Sequence, residues 1–150
     1  MLLLVKNVGS IVIFMVNNTY YGLDIRDVRE IITMQPLTQI PNSKKYIKGI
    51  INFRGNVLTL IDMISLFDFE RQNEINKEEK IIILDRNKVG IVVDDVIEIV
   101  ELDEKGKRDL ELTGFGKYID CLFEHNDKII SIINLESLLD RDSESYLFNK

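Results

Sequence analysis

The sequence predicts a mainly β protein made of two similar halves, each a small barrel, with only short helices. Three observations predict it. Short apolar runs alternate with turn-forming polar pairs such as Asn17-Asn18 and Arg54-Gly55. No stretch carries the long helical periodicity that parallel crossovers require. The chain also repeats itself. Tyr21–Ile32, YGLDIRDVREII, aligns with Val89–Val100, VGIVVDDVIEIV, with five of twelve positions identical: Gly22/Gly90, Asp27/Asp95, Val28/Val96, Glu30/Glu98 and Ile31/Ile99. Tyr46–Phe67 aligns in the same order with Tyr118–Leu139, sharing Tyr46/Tyr118, Ile47/Ile119, Ser65/Ser137 and Leu66/Leu138. Two such barrels, neither large enough alone to bury a full core, are expected to pack face to face.

A chain of 150 residues holds one domain of this kind, with halves at 10–70 and 80–140, a charged connector at 71–80 and a tail at 141–150. An apolar fraction of 45% beside 29% charged residues excludes a disordered chain. The net charge of −6 argues against nucleic acid and against an anionic membrane surface as partners. One cysteine, Cys121, leaves no internal disulfide, which fits a reducing compartment. The opening MLLLVKNVGSIVIFMVNN is broken by Lys6, Asn7 and Gly9 and falls short of a membrane span. It reads as a flexible start plus a strand, and a cytoplasmic protein is expected.

In order, Ser10–Val16 and Thr19–Asp24 read as a hairpin around Asn17-Asn18. Asp24 is expected to cap a short helix over Ile25–Glu30, because Ile25, Val28, Ile31 and Ile32 recur at helical spacing. Met34–Ile40 is loosely extended, and Ser43 is a candidate cap for one helical turn through Lys45. Ile47–Phe53 and Val57–Ile61 form a hairpin around Arg54-Gly55-Asn56, with a short helix from Asp62. Arg71–Lys80 is a polar connector. Ile81–Leu84 and Val89–Val93 make another hairpin, and Val96–Leu102 is a half-exposed strand or a helical turn leading into one. Asp103–Thr113 is loop-like. Lys117–Phe123 and Lys128–Ile133 are the last strand pair, and Asn134 caps a final helix over Leu135–Asp140.

Catalytic and metal-binding patterns are sparse, so no catalytic residue, metal ligand or cofactor is assigned. His125, the only histidine, lies in a polar turn and reads as solvated. Cys121 in an apolar run reads as a small buried hydrophobe. Asp94-Asp95 reads as capping or solvation, and Asp24, Asp27 and Glu30 as helix-start carboxylates. A small β-barrel enzyme using Asp24, Asp27 or Asp94 with His125 is the competing reading. Arg54 stands apart, because the repeat replaces Arg54-Gly55 with Asn126-Asp127. It reads either as a solvated turn arginine or as a positive anchor for a partner, with Glu30 as intramolecular mate and Val28 and Ile31 as apolar flank.

The segments YGLDIRDVREII, Pro41-Asn42, YIKGIINFRGNVLTLIDM, VGIVVDDVIEIV and IISIINLESLL together resemble the CheW family of chemotaxis coupling proteins, over roughly Ile11 to Leu139. The resemblance implies two intertwined, five-stranded SH3-like β-barrels. It implies a non-enzymatic adaptor linking the cytoplasmic tip of chemoreceptors to the regulatory domain of the histidine kinase CheA, recruited to membrane-bound receptor arrays. A CheW-like adaptor of another kinase-linked signalling or motility system is the alternative. By motif position, Val28, Glu30, Ile31, Gly49 and Arg54 fall at receptor- or kinase-coupling positions, and Val96 and Ile99 at the matching places in the second half, by the groove between barrels. The chain departs from the family pattern where a proline is replaced by Thr59, where the second-half glycine is Cys121, and in a short link from Leu102 to Tyr118.

Overall fold

Eleven strands, one turn of 3-10 helix and two short helices make up the computed structural model, which describes residues 9–67, 69–70, 78–86, 88–102, 107–108 and 118–140. Most of the expected connector, most of the Asp103–Thr113 loop and the tail lie outside the described residues. The strands are β1 Ser10–Val16, β2 Thr19–Asp24, β3 Val28–Thr33, β4 Ile47–Phe53, β5 Asn56–Asp62 and β6 Lys80–Leu84. They continue with β7 Val89–Val93, β8 Asp95–Glu101, β9 Lys107–Arg108, β10 Ile119–His125 and β11 Lys128–Ile133. The predicted mainly β class holds, and the strands form one five-stranded and one six-stranded sheet.

The sheets show how the repeat is used. One runs β3-β6-β7-β5-β4 and the other β8-β1-β2-β11-β10-β9. The repeat makes β1–β2 the counterpart of β6–β7, β3 of β8, and β4–β5 of β10–β11. Each sheet therefore takes its leading hairpin from one half of the sequence and its other strands from the opposite half. The junction is a parallel ladder in both: Gly22 faces Ile132 across β2 and β11, and Gly90 faces Leu60 across β7 and β5. The sixth strand, β9, pairs with Leu122 and Phe123. In the five-stranded sheet a single bridge between Thr38 and Ile50, the repeat counterpart of Leu122, occupies that place.

The cores match at five positions each. Ile11, Ile13, Phe123, Ile130 and Ile132 are buried in one. Ile81, Ile83, Ile51, Leu58 and Leu60 are their counterparts in the other. Both β4 and β10 slip register, between Ile47 and Gly49 and between Ile119 and Cys121. Below each bulge the same tie recurs: the Asp62 amide donates to the Tyr46 carbonyl and the Asn134 amide to the Tyr118 carbonyl, each at 2.8 Å. Asp62 Oδ1 then accepts from the Ile64 amide to cap the Met63–Leu66 helix. Asn134 Oδ1 accepts from the Ser137 amide at the start of the Leu135–Asp140 helix.

Three local expectations differ. Only Ile25–Asp27 is helical, and Val28–Thr33 is a strand. A bulge between Val28 and Glu30 inserts one residue against β6, which moves the apolar positions off strict alternation and onto a spacing that mimics a helix. Ser43 caps no helix; its hydroxyl donates to the Ile40 carbonyl at 3.0 Å and closes the turn instead. Lys107–Arg108, inside the expected loop, is strand.

The two parallel ladders need glycine because neighbouring side chains fill the space a Cβ would take. At Gly22 a Cβ would lie 2.9 Å from Ile132 Cδ1, and at Gly90 2.9 Å from Ile81 Cγ2 and 3.0 Å from Leu60 Cδ2. An isoleucine Cδ1 swings aside more easily than a Cγ2 held by β-branching. Gly22→Ala and Gly90→Ala should each lower the unfolding free energy read by urea denaturation, by about 1–3 kcal/mol, with Gly90→Ala the worse.

Asp120 offers a second test. Partial burial raises its carboxyl pKa, against the opposing effect of the Asn134 amide donating to Oδ1 at 3.0 Å. A raised folded-state pKa means the folded form holds the proton longer, so Asp120's contribution is present below the ordinary carboxylate range and lost as pH rises through the raised value. Asp120→Asn keeps the hydrogen bond. Its stability advantage over wild type should be largest at neutral pH and shrink on acidification, read by denaturation across pH.

Candidate protein-docking site

Arg54 and Gly55 are the two central residues of the β4–β5 turn, both with positive φ (52° and 83°). Asn17-Asn18 and Asn126-Asp127 occupy their hairpin turns with the same signs of φ. Such mirror-image turns match the twist of paired strands and favour Gly, which lacks a Cβ, and Asn, whose short side chain tolerates the left-handed region. Arginine does not share that tolerance. The turn therefore holds Arg54 against its backbone preference, and turn geometry gives no reason for its charge.

The side chain is aimed. Arg54 Nη1 donates to Glu30 Oε1 on β3 at 2.8 Å, and the guanidinium lies 4.6 Å from the centroid of the Phe53 ring. β3 and β4 are the two end strands of this sheet's order, so the pair shows the sheet curling to bring its ends together, as in a barrel. The guanidinium side chain is 68% exposed and Glu30's 31%, so the pair stabilises the fold by only about 0–1 kcal/mol. A guanidinium with one oxygen partner keeps further N–H donors for an incoming group.

Around this pair is a recess of about 230 Å³, floored by Leu58, Ile83 and Leu84 and rimmed by Arg29, Arg54, Arg86 and Lys88. Arg29 pairs with Asp85 at 2.9 Å and Arg86 with Asp27 at 3.2 Å. Arg29, Arg54 and Arg86 of the rim are thus held in oriented ion pairs on a protein of net charge −6. That places Asp27, in the 3-10 turn, and Glu30, on β3, in ion pairs. Sequence reasoning missed Arg29, Asp85, Arg86 and Lys88. The only available signal was the charge of the Asp85–Lys88 turn, which read as a connection.

The other expected site residues divide. Val28 and Ile31 lie on β3 with Glu30, each half-buried. Gly49 does not line the recess. It lies in β4 at a φ of 153°, and a Cβ there would come within 2.6 Å of the Thr38 carbonyl oxygen, so its absence of side chain admits the Thr38–Ile50 bridge. Val96 and Ile99 lie on β8, and Ile99 is 57% exposed. Thr59 explains one departure from the family pattern: its backbone N–H donates to the Lys88 carbonyl at 3.0 Å, a bond that proline cannot make. Cys121 is buried, as expected. Asp94 Oδ2 accepts from the buried Asn17 amide at 2.8 Å. Among the described residues no group of three or more His, Cys, Asp or Glu is placed to hold a metal.

A family model for the CheW-like domain matches residues 10–143. The chain belongs to the CheW-like family. Among curated relatives, it is 28% identical to chemotaxis protein CheW of Klebsiella aerogenes, over 91% of this chain and 85% of that one. It is 26% identical to chemotaxis protein CheW of Bacillus subtilis, over 93% and 92%. Among solved structures, the scaffolding protein TtCheW from Thermoanaerobacter tengcongensis matches with a TM-score of 0.79 and 31% identity, covering 89% of each chain. These CheW-like matches support a chemotaxis adaptor or scaffold role. No helix among the described residues is long and apolar enough to cross a membrane.

Two substitutions separate backbone from charge. Gly49→Ala meets both an unfavourable φ and a backbone oxygen that cannot swing away. It should cost about 2 kcal/mol or more in chemical denaturation. Arg54→Asn places a turn-favouring residue at the same φ and deletes the cation, so stability should stay within about 1 kcal/mol of wild type.

Proposed function

We propose that this chain is a chemotaxis coupling adaptor that acts by binding proteins and carries out no chemistry of its own. Its partners are the regulatory domain of a CheA-type histidine kinase and the cytoplasmic tip of a chemoreceptor. It works in the cytoplasm and is recruited to membrane-bound receptor arrays. Val28, Glu30, Ile31, Gly49 and Arg54 serve this coupling from the first half, and Val96 and Ile99 from the second.

The observation that carries the reading is the Arg54–Glu30 pair beside an ion-paired rim. The pair adds little stability, and the turn holds the arginine against its conformational preference, so recognition is the remaining physical reason for the charge. Val28 and Ile31, half-buried on the same strand, supply the apolar flank that a docking surface needs. Gly49 contributes indirectly, by letting the Thr38 segment lie against β4 beside this hairpin.

The test is a pull-down and titration of purified chain against the kinase regulatory domain and against a receptor-tip fragment. Arg54→Asn should weaken at least one of the two by roughly tenfold or more, with the fold intact. Wild-type affinity for both partners would remove Arg54 from the site, and wild-type protein that binds neither would end the adaptor reading.

A further inference from the structure

The four cations on the recess rim are not repeated in the other half of the chain. The repeat sets Ile97 in place of Arg29 and Asn126 in place of Arg54. The β1–β2 connection over residues 15–20 carries no charged residue where the β6–β7 turn carries Asp85, Arg86 and Lys88. Lys128 stands where the first half has Asn56, and its ammonium lies 5.4 Å from the centroid of the Tyr20 ring. The two cores match without the four rim charges, so the fold does not require them. Two of them also sit at strained positions. Arg54 and Lys88 have φ of 52° and 53°, a region where Gly and Asn are the undemanding residues.

The rim turns its positive members outward. In every pair the cation is the more exposed partner: Arg54 at 68% against Glu30 at 31%, Arg29 at 64% against Asp85 at 52%, and Arg86 at 37% against Asp27 at 26%. Each guanidinium uses only one or two of its five N–H donors on its carboxylate. Arg29 donates from Nε and Nη2 to Asp85 Oδ1, Arg54 from Nη1 to Glu30, and Arg86 from Nη2 to Asp27. Four cations with three carboxylates leave one positive charge in excess. Lys88 is the rim cation with no ion pair among the described residues. Beneath these charges the floor is apolar, with Leu58, Ile83 and Leu84 all buried.

We propose that the recess takes an acidic segment of a partner protein, with an apolar side chain set against Leu58, Ile83 and Leu84 and flanking carboxylates on Arg29, Arg86 and Lys88. Arginine suits this use, because its fork of donors matches a carboxylate. The apolar floor selects against a small inorganic anion, which would lose its water over a surface with no donor. The net charge of −6 selects against a nucleic-acid strand, which needs a broad basic face. An acidic segment with an apolar anchor satisfies both the rim and the floor. The identity of the partner rests on the adaptor function proposed above; the charge preference of the recess rests on its own geometry.

The experiment is an NMR titration of the full chain, read at backbone amides and arginine Nε–H groups, with two blocked synthetic peptides. One alternates glutamate with leucine and the other lysine with leucine. The acidic peptide should shift the signals of Arg29, Arg54, Arg86 and Lys88, and the basic peptide should not. Raising the salt from about 0.05 to about 0.5 M should weaken the acidic peptide severalfold, because exposed charges are screened. Lys88→Asn removes the excess charge and places a turn-favouring residue at the same φ. It should weaken the peptide roughly two- to fivefold, the size of one exposed ion pair, with the fold intact. Lys128→Asn, in the other half, should leave the affinity unchanged. Equal binding of both peptides would overturn the proposal. So would rim signals that stay still at millimolar acidic peptide, or inorganic phosphate that shifts them as strongly. The kinase regulatory domain and the receptor-tip fragment are titrated against wild type and Lys88→Asn, and at least one should weaken by the same factor and with salt. Partner binding indifferent to both would overturn the docking role. Wild-type chain that binds neither partner would contradict the adaptor reading alone and leave the peptides to decide the chemistry of the recess.

Discussion

Everything in this fold depends on two parallel ladders, β2 with β11 and β5 with β7. Each joins a hairpin from one half of the sequence to strands from the other, so neither sheet can be completed by a contiguous half-chain. The ladders also impose a narrow steric condition. Gly22 and Gly90 face a leucine or isoleucine across the ladder, where a Cβ would come within 3 Å of its neighbours. The same glycine appears twice because the same contact is built twice.

On that doubled scaffold the two hairpin tips diverge. The second uses Asn126-Asp127, residues that suit a left-handed turn, whereas the first uses Arg54. Equivalent burial on both hairpins extends even to Val57 and Ile129, which are 54% and 49% exposed at matching places. Arg54, like Lys88 beside it on the rim, is a charged residue in an unfavourable backbone region, where packing stops explaining the sequence. The Arg29–Asp85 and Arg86–Asp27 pairs surround that point with further fixed charges. The proposed recognition by oriented, weakly stabilising ion pairs would suit an adaptor, which must hold partners without becoming locked to them.

The sequence was most informative where local chemistry and the repeat agreed. The hairpins around Asn17-Asn18 and Arg54-Gly55, the Asp62 and Asn134 caps and the buried Cys121 follow from turn preference, side-chain acceptors and apolar runs. The Glu30–Arg54 pairing was legible because a lone cation at a hairpin tip wants a partner. What escaped has specific causes. A bulge in β3 moved its apolar residues onto helix-like spacing. Strand β9 is two residues long and exists only because β10 offers an edge. The ion-paired rim is assembled from the Ile25–Asp27 turn, β3 and the β4–β5 and β6–β7 turns, which are distant in sequence, and no local pattern announces it. The same is true of His125, which reads as solvated in its turn and is brought by folding to 3.5 Å from Glu98.

The central claim is that the Arg54–Glu30 pair serves recognition and contributes little to stability. A double-mutant cycle over Glu30→Gln, Arg54→Asn and their combination tests it most directly, with unfolding free energy and kinase-domain affinity measured on the same four proteins. The account predicts a coupling energy in folding below about 1 kcal/mol, with a larger loss of affinity in the single variants. A coupling in folding that exceeds the loss in binding would contradict it and return the arginine to a structural role.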